Sequence, residues 1–467
     1  MATKSLTPAE TPASDAAAVL RELDASSPSR NSKLPELEGV LQELEKRIDP
    51  VSKLPLEITT AIFILCLPKS SCPAPAPSSA PMLLRSVCRS WKVIALSIPQ
   101  LWSSIRLNTE ISVNFGSLVA LWIARAQSMP LSISLHGDLT AVKPSLRAII
   151  DQHFPTYVQN LELYISKGRQ LDKLKGPFAS LRTLTLGQDD PASFLVHCSC
   201  GEEHDGDGFF GRDARPCVKF LSAAPDLVEL AMDRIFFNVP FKSISTSSQL
   251  TTHSSLKRLF LGGFGYDAKR PEPISHCSVQ ILQYLTLPSL ERLVIFSLSS
   301  PSEVEPLFTF LQRSSASLHS LSIGLDLPFP VVRLLQLIPN IKELDLNFQW
   351  SETADEFVRS LMTALHSNNS VNLVPNLGRL MIRGPQLEPE TYEDVLEVLS
   401  PRRGHGSFDS FKFIWVPGDR RERSNVNLDE ALMKKAPSAH VLEAMRQLVV
   451  DGLEIHVGLK DRNVVDV

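Results

Sequence analysis

The chain is short of cysteine, of aromatic rings and of any surplus of charge. Seven cysteines in 467 residues are too few, and odd in number, for a disulfide framework. Cys66 and Cys88 lie in apolar strings, where free thiols pack as small hydrophobes, so a reduced intracellular setting is expected, cytoplasmic or nuclear. A net charge of −4 gives no general attraction to phosphate backbones or acidic membranes. Nucleic acid and membrane are therefore not expected as partners. No run approaches the roughly 20 consecutive apolar residues of a membrane span. The amino terminus has no basic stretch followed by an apolar run, so no secretory signal is expected.

Motifs of catalysis are lacking too. There is no G-x-S-x-G, no P-loop and no H-E-x-x-H, and the eleven histidines are scattered. The reading is not an enzyme, with no cofactor. His197, Cys198, Cys200, His204 and Cys217 gather in one stretch, but C-x-C is not the usual zinc-knuckle spacing. The D-x-D-G at Asp205 to Gly208 fails as a calcium loop, because position twelve is Pro216 and not Glu. A polar insertion is the reading there, with no metal. The basic string Arg420, Arg421, Arg423 is broken by Glu422 and reads as a solvated loop.

What is present is apolar periodicity. Residues 1–33 are rich in Ala, Ser, Thr and Pro, and are expected to form a disordered tail. Residues 34–50 carry Leu37, Val40, Leu41, Leu44 and Ile48 at helical spacing, closed by Asp49-Pro50. In residues 51–68 Pro55 suits a first helical turn, Glu57 favours its dipole, and Leu54, Ile58, Ile62 and Leu65 line one side with Phe63 beside them. A Pro/Ser/Ala spacer, 69–80, follows. A second helix is expected through Leu84, Val87, Cys88, Trp91, Ile94 and Ala95, stopped by Pro99, before a strand-like SSIRL.

From about residue 155 a string L-x-x-L-x-L recurs. It begins at Val158, Leu181, Leu227, Leu256, Leu290, Leu318, Ile341 and Leu377, often behind a helical segment and a proline or asparagine. Such a unit cannot bury its apolar face alone, so copies must stack into a leucine-rich solenoid. Residues 441–458 repeat the helix-then-strand texture, with Gly452 placed to end the helix.

The ordered strings Leu54-Pro55, Glu57-Ile58, Ile62-Phe63, then Val87-Cys88-Arg89, Trp91, Ile94-Ala95, and finally Pro99, Leu101-Trp102 resemble the F-box of basidiomycete fungal proteins. The resemblance covers about 55 residues, and the remainder is similar to that family in texture only. It implies an α/β chain in which a small all-α F-box (51–108) precedes an irregular leucine-rich-repeat-like solenoid (109–467). It further implies binding of a Skp-type adaptor, and through it a cullin/RING ubiquitin ligase, while the array recruits an unknown target protein. The adaptor-binding residues it points to are Leu54, Pro55, Glu57, Ile58, Ile62, Phe63, Leu84, Val87, Cys88 and Trp91. The alternatives are an F-box protein that binds the adaptor without forming a ligase, and a leucine-rich scaffold with no ligase role.

Overall fold

The computed structural model describes residues 54–68, 72–109, 115–139, 144–165, 176–187, 214–233, 250–262, 277–298, 301–325, 329–348, 354–366, 373–403, 408–416 and 436–466, with Leu171, Leu174 and Ile235 between them. The expected tail (1–33) and first helix (34–50), together with Cys198, Cys200 and Arg420 to Arg423, lie outside those residues. The described chain is mixed α/β with one large, mostly parallel sheet. It divides into a first unit of residues 1–68 and 76–101 and a second of 69–75 and 102–467.

In the first unit α1 (Leu56–Leu65) starts behind Pro55, with Glu57 in its first turn. The Cys66 N–H closes it by bonding back to the Ile62 carbonyl at 3.1 Å. The single helix expected over the next apolar string is two helices, α2 (Met82–Val87) and α3 (Arg89–Ser97). Cys88 parts them in extended conformation (φ −157°, ψ 174°), and its sulfur accepts the Trp91 N–H at 3.4 Å. A thiol thus acts as the cap of α3, a role that periodicity does not announce.

The second unit holds the strands β1 (Ser104–Asn108), β2 (Leu131–His136), β3 (Val158–Tyr164), β4 (Thr183–Gly187) and β5 (Glu229–Asp233). They continue as β6 (Thr251–Thr252), β7 (Arg258–Leu261), β8 (Leu285–Thr286), β9 (Arg292–Leu298) and β10 (Ser320–Leu325). The last are β11 (Glu343–Phe348), β12 (Arg379–Gly384), β13 (Ser410–Trp415), β14 (Glu454–Leu459) and β15 (Arg462–Asn463). Thirteen of these form one sheet in chain order, with β6 and β8 set apart as a small pair. Each step is parallel except the final β14–β15 hairpin. Parallel neighbours need a crossover. Helices supply most of these: α4 (Phe115–Ala126), α5 (Pro144–Tyr157), α6 (Arg215–Ser222), α7 (Pro301–Ser314), α8 (Val331–Leu337), α9 (Ala354–Leu365), α10 (Pro389–Arg403) and α11 (Ala439–Val450).

The L-x-x-L-x-L strings fall on β3, β4, β5, β7, β9, β10, β11 and β12. Their last two apolar positions meet in register from strand to strand. Leu259 stands opposite Leu293, Leu293 opposite Leu321 and Leu321 opposite Leu344, all at 1% exposure or less. Leu261, Ile295, Ile323 and Leu346 make a second such row. The leading Leu256, Leu290, Leu318 and Ile341 are buried as well. Each fully buried side chain contributes on the order of 1.5–3 kcal/mol, and each depends on the layers on either side. The two polar residues between the leucines carry the turn into the strand. The N–H groups of Lys342 and Glu343 both bond the His319 carbonyl, and those of Gly378 and Arg379 both bond the Lys342 carbonyl.

Behind the sheet, arginines satisfy carbonyls at the ends of preceding layers. Arg313 donates to the Leu282 and Leu285 carbonyls at 2.9 and 3.1 Å, and Arg402 to those of Leu365 and Val374 at 3.1 and 3.3 Å. Burial lowers the pKa of both guanidiniums. The Asp355 Oδ1 of α9 accepts the Glu388 N–H and the Thr391 hydroxyl, at 2.9 and 2.8 Å, and so caps the start of α10. Trp415 donates its indole N–H to the buried Tyr392 hydroxyl at 3.0 Å, and burial drives the Tyr392 pKa upward.

The large sheet has β1 at one edge and the short β15 at the other. The spacer residues 72–75 belong to the second unit, and Pro73 accepts the Arg106 N–H of β1 at 2.9 Å. Cys72 is 2% exposed with its thiol directed at the Ser132 carbonyl, 3.5 Å away. At the far edge Asn463 accepts the Val457 and Val465 N–H groups at 2.9 and 3.2 Å. The start of the unit is anchored by Trp102, whose ring meets Trp122 edge-on at 4.8 Å under the Arg125 guanidinium. Cys217 is buried on α6, a core position. No helix among the described residues is long and apolar enough to cross a membrane.

Gly324 sits where β10 passes a register shift in β9, and a methyl group there would overlap the Phe296 carbonyl oxygen. Because that neighbour is backbone it cannot rotate away. Gly324→Ala is expected to lower unfolding stability by about 1–3 kcal/mol in urea titrations.

Candidate docking surface

Of the fifteen exposed large apolar side chains among the described residues, nine lie between Leu54 and Val93 in the first unit. On α1 only Thr59 and Phe63, one helical turn apart, are buried. Leu56 is 58% exposed, Ile58 50%, Ile62 37%, Ile64 38% and Leu65 83%. A ten-residue helix is marginal in water by itself, and most helical stability comes from packing an apolar face. Here six large apolar side chains, counting Leu54, face solvent. Large contiguous apolar exposure of this kind marks a surface built for contact.

The candidates from the sequence divide by depth. Leu54, Pro55, Glu57, Ile58, Ile62 and Val87 stand at the surface. Phe63 at 0% and Leu84 at 3% are enclosed and have next to no surface to give a partner. Cys88 caps α3, and Trp91 is half-buried with its ring 5.1 Å from Phe63. Phe63 and Trp91 are therefore the joint by which α1 is held to α3 within this unit. Leu56, Ile64, Leu65, Leu83 and Val93 extend the exposed set beyond the sequence candidates. The signal that they are exposed was present: α1 is apolar on nearly every side, and one side is all that a small unit can bury. Leu101 belongs to the first unit, whereas Trp102 belongs to the second and packs there.

A second accessible surface is the outward face of the large sheet, where residues alternate with the buried leucines. It carries a ladder of ion pairs. Arg258 bonds Glu229, and Lys257 bonds Glu291 at 2.8 Å. Arg379 bonds Glu343 at 2.9 Å, Arg383 bonds Asp345 at 3.0 Å, and Lys412 bonds Glu454 at 2.6 Å. The hydrogen bond from Lys257 holds Glu291 below the usual carboxylate range, and that from Lys412 does the same for Glu454. These are exposed pairs and contribute little to stability singly. Asp345 differs: burial raises its carboxyl, against the opposing pull of Arg383 and of the Ser322 hydroxyl, 3.2 Å away.

Among the described residues no group of three or more His, Cys, Asp or Glu is placed to hold a metal ion. His197, Cys198, Cys200 and His204 lie outside them.

Truncating a surface and a core residue of α1 should separate the two roles. Leu65→Ser is expected to change unfolding stability by no more than about 0.5 kcal/mol. Phe63→Ala is expected to cost about 3–5 kcal/mol in the stability of its unit. For Asp345 the sign follows from its raised carboxyl, which binds its proton more tightly in the folded chain than in the unfolded one. Ionisation at neutral pH therefore costs stability through this group, and acidification restores it. Asp345→Asn is expected to be as stable as the parent or more so at neutral pH. The difference should shrink as pH falls through the carboxylate range, as paired urea titrations would show.

In comparison with known proteins, no family model matches the chain and no curated protein matches it.

Proposed function

We propose that the chain is the substrate-recognition subunit of a cullin-RING ubiquitin ligase of the Skp–cullin–F-box type. Its first unit acts as the F-box that docks on a Skp-type adaptor. Its second unit is a leucine-rich-repeat-like solenoid that presents its sheet face to a target. The observation that carries this reading is the uncovered apolar surface of α1–α3, on the strings that resemble the F-box. Burying several of these side chains at about 1.5–3 kcal/mol each offsets an association cost of roughly 4–15 kcal/mol, so several anchors must act together. The chain contributes no chemistry of its own. By holding a target beside the charged conjugating enzyme it raises the effective concentration of the target's lysines, which is catalysis by proximity.

Purified full-length chain mixed with a basidiomycete Skp-type adaptor should form a complex on gel filtration. Ile58→Asp combined with Val87→Asp is expected to weaken it by at least about tenfold, since each buries an unpaired charge, while circular dichroism stays unchanged. A wild-type chain that fails to bind the adaptor would sink the proposal. Co-purification of the cullin with chain and adaptor then separates a ligase from an adaptor-bound protein with no ligase role.

A further inference from the structure

The ion-pair ladder on the sheet face does not close. Across β7, β9, β10, β11, β12 and the residue that leads into each, Glu291, Glu343 and Asp345 are each taken by a cation. Two exposed cations, Arg292 and Lys342, make no salt bridge among the described residues; the charge of Arg292 acts on Asp345, which already bonds Arg383. Arg292 lies in register with Arg258 on one side and Ser320 on the other, so neither neighbour neutralises it. Its guanidinium stands 5.8 Å from the ring centre of Phe260.

The positions beside Arg292 are apolar. Ala231, Phe260 and Val294 stand side by side in register on the same face, and Phe260 and Val294 keep part of their surface in contact with solvent. Further along the same row the residues turn polar, as Ser322 and Asp345. An arginine next to half-exposed aromatic and branched side chains is the composition of a binding hot spot. The chain as a whole has a net charge of −4, so a local surplus of positive charge runs against the global balance. Cations in surplus over the carboxylates beside an apolar shelf complement an anion borne next to an apolar group.

We infer that the sheet face around Arg292, Lys342, Phe260 and Val294 binds an acidic segment of a partner protein, one that carries Asp or Glu beside an aromatic or aliphatic side chain. This deepens the proposed function and rests on its reading of the second unit as the target-binding part. The apolar side chain of the partner lies on Phe260 and Val294, and its carboxylates meet Arg292 and Lys342. Arg383 and Arg379 stay with their own acids and set the polar limit of the site.

The test is a selection from a random-sequence displayed peptide library on the full-length chain, followed by fluorescence anisotropy of the enriched peptides. Enrichment of Asp and Glu next to Phe, Trp or Leu is expected, with affinity that falls as salt rises. Arg292→Glu with Lys342→Glu should weaken those peptides by at least tenfold and admit their Lys-substituted counterparts. Both positions are exposed, and an unchanged urea midpoint would exclude loss of folding as the cause. Enriched peptides that are neutral or basic, or that bind the double variant as tightly as the parent, would overturn the inference. Adaptor binding measured on the same preparations tests the first unit separately: its failure would leave the peptide result standing, and failure of the peptides would leave adaptor binding intact.

Discussion

Burial of leucine against leucine from one strand to the next is the constraint on which the second unit depends. No layer has an interior of its own. Leu293 is covered because Leu259 and Leu321 stand on either side of it in register, and the same holds along both rows. The parallel pairing, the crossover helices and the arginines that reach back to carbonyls of the preceding layer all serve to keep those rows aligned. Stability in such an arrangement is approximately a sum over neighbouring layers. A fault at Leu344 is thus felt first at β10 and β12, and only indirectly at the ends.

The first unit solves the same problem differently, by leaving it unsolved. Its small interior is organised around Phe63, Leu84 and Ala95, with Trp91 on Phe63, and α1 has more apolar surface than this core can absorb. The contrast is informative. Where the chain stacks layer on layer, the exposed side of the sheet is largely polar apart from the shelf at Phe260 and Val294, and most of its carboxylates are matched by cations. In the first unit the exposed side is leucine, isoleucine and valine.

Much of the sheet was legible in the sequence, because L-x-x-L-x-L combines a period of two with a leading leucine that marks the turn. Other strands lacked that lead. β2 alternates as Leu131, Ile133, Leu135 without it, and β13 reads Phe411, Phe413, Trp415 with Lys412 and Ile414 between them, so the repeated string begins only near residue 155 whereas the sheet starts at Ser104. Helices α4, α5, α9 and α10 were not read from the pattern, although α9 buries Phe357, Val358, Leu361, Met362 and Leu365 at helical spacing. At the candidate site, periodicity identified the helices but not the depth of each residue. Phe63 and Ile62 are adjacent and equally apolar, and only the packing partner decides which is enclosed. The break at Cys88 was illegible for a similar reason, since it rests on one sulfur–amide contact and on no glycine or proline.

The spacer at 72–75 carries a consequence for how the protein meets copies of itself. A parallel edge strand offers a row of unpaired donors and acceptors, the template on which a stray strand would extend the sheet. Pro73 accepts the Arg106 N–H, and as a proline it has no N–H to hand on. Pro75, two residues later, is equally without a donor. The strap thus takes up an edge donor and sets two prolines there, neither of which can donate to a further strand. Such a strap disfavours extension of the thirteen-strand sheet beyond β1.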